Sequence, residues 1–242
     1  MQVHIDNVTA AKISMKAEHD FVGTPCGIMD MLASASAIEK KAMLLDCRDI
    51  HIRHIDLPPD NILEWTVVNT GISHALSSSE YALRRKSCEH AENTLGISLR
   101  DASVEDVNMK IKKTVDRNRA LHVVQENLRV IQAVAALQSV NLDTFGMILV
   151  NGHNSLKELF EVTIPEHDLI VESSCALQGD GVYGARMTGG GFGGSVIIAH
   201  SPKSRETLVQ RVSNDFCTFT GRMPDVYHIR STSGAGIISL IE

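Results

Sequence analysis

The chain has 242 residues, 43% of them hydrophobic and 21% charged, with a formal net charge of −6. That size and composition suit one large or two small globular domains and exclude wholesale disorder. The acidic balance speaks against a nucleic-acid surface, and no apolar run approaches the ~20 residues of a membrane helix. Five widely spaced cysteines without a CxxC pair indicate neither a zinc site nor a disulfide framework. Met1–Asp6 lacks the basic-then-apolar pattern of a signal peptide, so free thiols in a reducing cytoplasm are the simplest expectation.

In chain order, Val8 to Phe21 reads as a helix, broken by Val22-Gly23-Thr24-Pro25. Cys26 to Ser34 begins a second helix. Asp30 sits there among small and apolar residues, where a cap or a solvated face is the ordinary fate of an aspartate. The alternative is a carboxylate aimed into a site. Ala42–Cys47, His51–Ile55 and Trp65–Thr70 read as short strands. Ser77-Ser78-Ser79-Glu80 can cap a helix from about Tyr81 to Leu95. Arg84 and Arg85, near its start, oppose the helix macrodipole. They suit an anionic partner, with solvated arginines the plainer account.

Val104 to Leu159 carries a helical signal. Leu121, Val124, Leu128, Ile131, Val134 and Leu137 mark one face of a long helix. His122 and Glu126, one turn apart on it, read as a surface pair. Another helix is expected over Leu142–Phe160, interrupted around Asn151–Ser155, with capping or turn roles for His153 and Ser155. Helices over Asp168–Leu177 and Ser204–Phe219 and strands over Val226–Ile229 and Gly236–Ile241 complete the chain. Strands and helices mix without strict βαβ alternation, which favours α+β.

One stretch stands apart: Gly184-Ala185-Arg186-Met187-Thr188-Gly189-Gly190-Gly191-Phe192-Gly193-Gly194-Ser195. Five glycines fall within six positions, next to an arginine and a threonine and ahead of the apolar run Val196–Ala199. A flexible hairpin turn is the ordinary reading of such a run. Exposed backbone N–H groups beside a cation, held at a sheet edge, instead suit an anion such as phosphate. The stretch matches neither a GxxxxGK[ST] loop nor a strand-anchored GxGxxG.

These residues resemble the galactokinase family, within the GHMP group of small-molecule kinases. Arg186-Met187-Thr188 before the glycines is the form particular to galactokinases and close sugar kinases. Gly27-Ile28-Met29-Asp30 is similar to the stretch carrying the family's catalytic aspartate. Ser79-Glu80-Tyr81 with Arg84-Arg85 and Cys88-Glu89 resembles the segment with a sugar-contacting tyrosine. His122-Val123-Val124 with Glu126-Asn127, and His153-Asn154-Ser155-Leu156, also match. The resemblance runs from about Lys16 to Glu242.

It implies ATP-dependent phosphorylation of the galactose C1 hydroxyl, with Mg²⁺ accompanying ATP. Asp30 would accept the hydroxyl proton or orient the hydroxyl, and Gly27 and Tyr81 would contact the sugar. Arg186, Thr188, Gly189, Gly190, Gly191, Gly193 and Gly194 would lie near the nucleotide phosphates. The implied fold is α+β, a GHMP-kinase C-terminal lobe with an antiparallel or mixed sheet packed with helices. Residues 1–24 would be a remnant helix of the N-terminal lobe and 25–242 the C-terminal domain, with a last strand over 236–241 returning toward the N-terminal lobe. The family's Gly-Arg-x-Asn-x-x-Gly-Glu-His and Gly-Leu-Ser-Ser-Ser signatures are not found, and Met31 stands where the family usually has Gln. Activity is therefore expected to need an N-terminal lobe, from a separate chain or from a longer gene. The alternative is a catalytically inactive, kinase-derived sugar-binding or regulatory module.

Overall fold

The computed structural model describes residues 5–23, 26–72 and 77–236. The expected strand over 236–241 lies almost wholly outside them. The chain divides into two compact units, Met1–Leu57 with Arg230–Glu242, and Pro58–Ile229.

In the first unit, α1 (Asn7–Ala17) runs on into a π-helical turn (Glu18–Val22), followed by α2 (Met29–Ser36), β1 (Lys41–Asp46) and β2 (His51–Asp56). Asp6 caps α1 by accepting the Thr9 N–H at 2.9 Å. β1 and β2 form an antiparallel pair. Ala11, Ile28 and Leu32 make the core here, with Val8, Met15, Met43 and Ile52 packed around them. Residues 230–236 return to the end of α2, where Gly234 donates to Ala37 O at 2.8 Å and Ala235 to Ser34 O at 2.7 Å. The other face of the opening helix stays open: Ile13 is 54% and Phe21 90% exposed.

The second unit contains β3 (Glu64–Asn69), α3 (Ser77–Leu95), α4 (Val104–Lys110), α5 (Thr114–Gln138), α6 (Leu142–Ser155), α7 (Pro165–Cys175), β4 (Val182–Thr188), β5 (Ser195–His200), α8 (Arg205–Thr220) and β6 (Asp225–Ile229). The sheet order is β4-β5-β3-β6, and every strand pairing in it is antiparallel. With helices packed against antiparallel sheets, the fold is α+β.

Strand alternation sends Val68, Val196 and Ile198 to one face, where they meet Ile170, Val171, Leu208, Val212 and Phe216 of α7 and α8. Trp65 points to the opposite face and meets Phe145 of α6 edge-on, with ring centroids 5.8 Å apart. A separate helical core joins α3, α4 and α5 through Ala91, Leu95, Val107, Ile111, Ala120 and Val124.

Several local expectations change. The serines 77–79 lie inside α3 rather than ahead of it. The helical stretch from residue 104 is three helices. α6 runs unbroken through Asn151–Ser155 and continues as a π-helical turn (Leu156–Phe160) that ends at Glu161, φ 53°. On α5, Leu128 and Ile131 are 57% and 51% exposed, while Asp116, Arg119 and His122 are buried. Apolar period located the helix, but polar partners on α3 and α6 decided which side was covered.

α6 lies close against β4 because both carry glycine at the crossing. A Cβ on Gly146 would stand 1.9 Å from Tyr183 O, and one on Gly184 2.3 Å from Gly146 O. Gly146→Ala is therefore expected to cost more than the ~1–3 kcal/mol usual for overpacking, because backbone on both sides must move. Exposed Met147→Ala next to it should cost under ~0.5 kcal/mol. Urea unfolding of the two variants measures this, and equal midpoints would refute the close-approach account.

Candidate functional site

The glycine stretch is the connection between the antiparallel strands β4 and β5, so it is a hairpin loop, but a pinned one. Phe192 donates its N–H to Val162 O at 2.8 Å, and Gly194 donates to Ile72 O at 3.1 Å. Gly194 O accepts from Thr70 twice, from N–H at 3.0 Å and from Oγ1 at 2.9 Å. Gly189, Gly191, Gly193 and Gly194 all have positive φ, and so does Phe192 at 60°. For a non-glycine residue this conformation costs about 1–2 kcal/mol. Phe192 offsets it by packing with Leu156, Phe160, Val162 and Met187. Gly191 has no room for a side chain, since a Cβ would stand 2.4 Å from Val162 O.

Arg186 and Thr188 belong to β4 rather than to the loop. Thr188 is exposed at the strand end. Arg186 sends its guanidinium to Glu126, Nη1 to Oε1 at 2.5 Å, and Arg129 holds the other carboxylate oxygen at 2.7 Å. Burial pushes Glu126 up, but the two arginines together hold its carboxyl below the usual range. Gly152 makes the space for this pair, because a Cβ there would stand 2.8 Å from Arg186 Nη1.

Beneath the loop lie histidines whose burial the sequence did not reveal. His153 accepts the Met187 N–H on Nδ1 at 3.3 Å, so its Nε2 donates to Asp168 at 3.1 Å. Lys157 reaches the other oxygen of Asp168 at 3.0 Å. His122, expected on the surface, is buried. Its Nδ1 meets Ser155 Oγ at 2.8 Å, and its ring packs on Phe160 with centroids 4.5 Å apart. His167 is fully buried and accepts the Ile164 N–H on Nδ1 at 3.4 Å. Its Nε2 lies near the Gly193 and Gly194 backbone without a hydrogen bond of good geometry among the described residues. Burial holds both His122 and His167 down to about 4.

Tyr81, in the second turn of α3, puts its Cδ2 3.7 Å from where a Cβ on Gly190 would stand. In the first unit, Asp30 is exposed in the first turn of α2, where a negative charge complements the helix dipole, and Gly27 is exposed just before that helix. Among the described residues, no three His, Cys, Asp or Glu side chains gather as a metal site, and no helix is long and apolar enough to cross a membrane.

Residues 133–217, from α5 through most of α8, match the family described as GHMP kinases C terminal. The chain is 39% identical to the galactokinase of Bos taurus over 209 residues, covering 85% of this chain and 53% of that protein. It is 36% identical to the galactokinase of Thermosipho africanus, covering 96% of this chain and 65% of the relative. A crystal structure of Lactococcus lactis galactokinase complexed with galactose superposes with a TM-score of 0.90 at 29% identity, over 96% of this chain and 61% of that one. A mevalonate kinase from L. major shares the fold alone, with a TM-score of 0.61 at 17% identity. The chain thus resembles the C-terminal portion of galactokinases and spans between half and two thirds of the length of these relatives.

The buried histidines predict a pH dependence. In the unfolded chain they titrate near 6.5, and in the folded one at about 4 for His122 and His167. Between those values the unfolded state binds more protons, so stability falls as pH drops from 6.5 to 4. Each histidine contributes a slope on the order of 1 kcal/mol per pH unit. Urea midpoints should fall steadily over that window, with a shallower slope in His167→Leu. A flat profile between pH 7 and 5 would contradict the assignment.

Proposed function

We propose that this chain forms the galactose-binding and phosphate-facing part of a galactokinase. The reaction is transfer of the ATP γ-phosphoryl group to the galactose C1 hydroxyl. The hydroxyl oxygen attacks γ-phosphorus, the bond to the β-phosphate oxygen breaks, and ADP leaves. The hydroxyl proton passes to the Asp30 carboxylate, or Asp30 orients the hydroxyl. Gly27 and Tyr81 contact the sugar. Gly189, Gly190, Gly191, Gly193 and Gly194 face the phosphates with their backbone, and Thr188 adds a hydroxyl. Phosphoryl transfer asks chiefly for positioning and charge stabilisation, which a pinned loop can supply.

The observation that carries this reading is the Tyr81 ring edge lying over Gly190. It brings the expected sugar contact beside the expected phosphate loop within one unit. The galactokinase relatives and the galactose-bound L. lactis neighbour support the choice of substrate. Arg186 contributes by fixing β4 through Glu126 rather than by offering a free cation. Magnesium would enter with ATP. The described residues offer no ligand set for it, so no step is assigned to the metal.

We also infer that the lobe boundary lies near residues 57 and 230 rather than at residue 24. α1 shares one apolar core with α2 and the β1–β2 hairpin. The first unit would then be the part that joins the N-terminal lobe.

An ADP-release assay with galactose and ATP on the purified chain, paired with calorimetry, tests the function. The expected outcome is galactose binding that Tyr81→Ala weakens at least ~10-fold, since removing an aromatic contact costs over ~1.4 kcal/mol. Any turnover should fall ~10²-fold or more in Asp30→Asn, the usual scale for losing a general base. Galactose bound without turnover fits both a galactokinase part that needs its N-terminal lobe and the inactive sugar-binding module, and turnover on adding that lobe favours the former. Neither binding nor turnover by folded protein would overturn both readings.

A further inference from the structure

Arg84, which a sequence reading leaves as a solvated cation, is almost enclosed, its side chain 13% exposed. Its Nε donates to Phe160 O at 2.8 Å and its Nη2 to Glu161 O at 2.7 Å. Nη1 donates to Glu80 Oε2 at 3.0 Å, one helical turn back. These carbonyls belong to the end of the π-helical turn that follows α6, where cations complement the helix dipole. Arg119 binds the same end from α5, to Leu159 O and to the Glu161 carboxylate. The guanidinium of Arg84 also lies 5.2 Å from the centroid of the Phe192 ring, over the glycine loop. Neighbouring Arg85, by contrast, is exposed and pairs with Glu89 on its own helix.

Tyr81 and Arg84 stand three residues apart on α3 and so share a face. Both reach the loop, Tyr81 at Gly190 and Arg84 at Phe192. The loop itself is tied to the residue after the clamped carbonyls, through Phe192 N–H to Val162 O at 2.8 Å. Three elements therefore meet on one planar cation.

We propose that Arg84 is a positioning residue that locks the glycine loop to the helical turn carrying Tyr81, so that the sugar contact and the phosphate loop are held as one body. The inference deepens the galactokinase reading and rests on it for the roles of Tyr81 and the loop. A planar fork can serve both carbonyls while its central carbon stays 5.2 Å from the centroid of the Phe192 ring. A lysine keeps the charge but presents one compact donor group.

The test is amide hydrogen exchange followed by NMR on the full chain. In Arg84→Lys and Arg84→Gln, exchange at Phe192 and Gly194 should rise at least tenfold, while Ile170 and Val196 in the sheet core keep their wild-type rates. Phe192→Leu, which leaves the carbonyl clamp intact, should loosen the loop in the same direction and serves if the arginine variants do not fold. With galactose added, wild-type loop exchange should slow. In Arg84→Lys galactose should still bind, within tenfold of wild type, but without slowing the loop. Unchanged loop exchange in the Arg84 and Phe192 variants overturns the proposal. So does galactose slowing the loop equally in wild type and Arg84→Lys. Absence of galactose binding by the wild type overturns the functional reading instead, and the ligand-free comparison then decides the role of Arg84.

Discussion

The crossing of α6 on β4 at Gly146 and Gly184 sets the geometry of the second unit. Two backbones without side chains can approach where any Cβ would collide with a carbonyl. That depth brings the rest of α6 into register with β4. Gly152 opens space for the Arg186–Glu126 pair, and His153 comes within reach of the Met187 N–H. The π-helical end of α6 then arrives under the loop, where Val162 O takes the Phe192 N–H. The loop's shape is thus settled by a helix distant from it in sequence.

Charge around the loop is spent on architecture. Arg84 and Arg119 bind carbonyls at the end of the α6 extension, and Arg186 binds Glu126. Part-buried cations of this kind are held only while their partners remain, since removing one leaves an unpaired charge in a poor solvent. In the proposed reading, the surface that would meet an anion is backbone N–H and the Thr188 hydroxyl. A rigid peptide cradle needs no reorganisation when charge arrives, which suits phosphoryl transfer.

Much of this was legible in the sequence. Strand β3 announced itself through β-branched content, and β1, β2, β6 and α8 were expected close to where they form. The glycine stretch with Arg186-Met187-Thr188 pointed to the family. β4 was hidden because Gly184 and Arg186 interrupt its apolar alternation, and Arg186 therefore read as part of a loop. The buried sides of α5 were misjudged because Arg119 and His122 are covered by partners on α6 and the turn that follows it, which leave no local trace. The same holds for Arg84, whose acceptors lie 76 and 77 positions away. Nothing local marks Gly146 either, since its reason is a strand that begins 36 residues later at Val182.

The central claim is that the pinned hairpin between β4 and β5 is a phosphate-facing surface. Titrating the ¹⁵N-labelled chain with a non-hydrolysable ATP analogue, while following backbone amide shifts, tests it most directly. The account predicts saturable shifts concentrated at Gly189 to Gly194 and at Thr188, with inorganic triphosphate reproducing them. Shifts confined to other surfaces, or a loop that remains unperturbed at saturation, would contradict it.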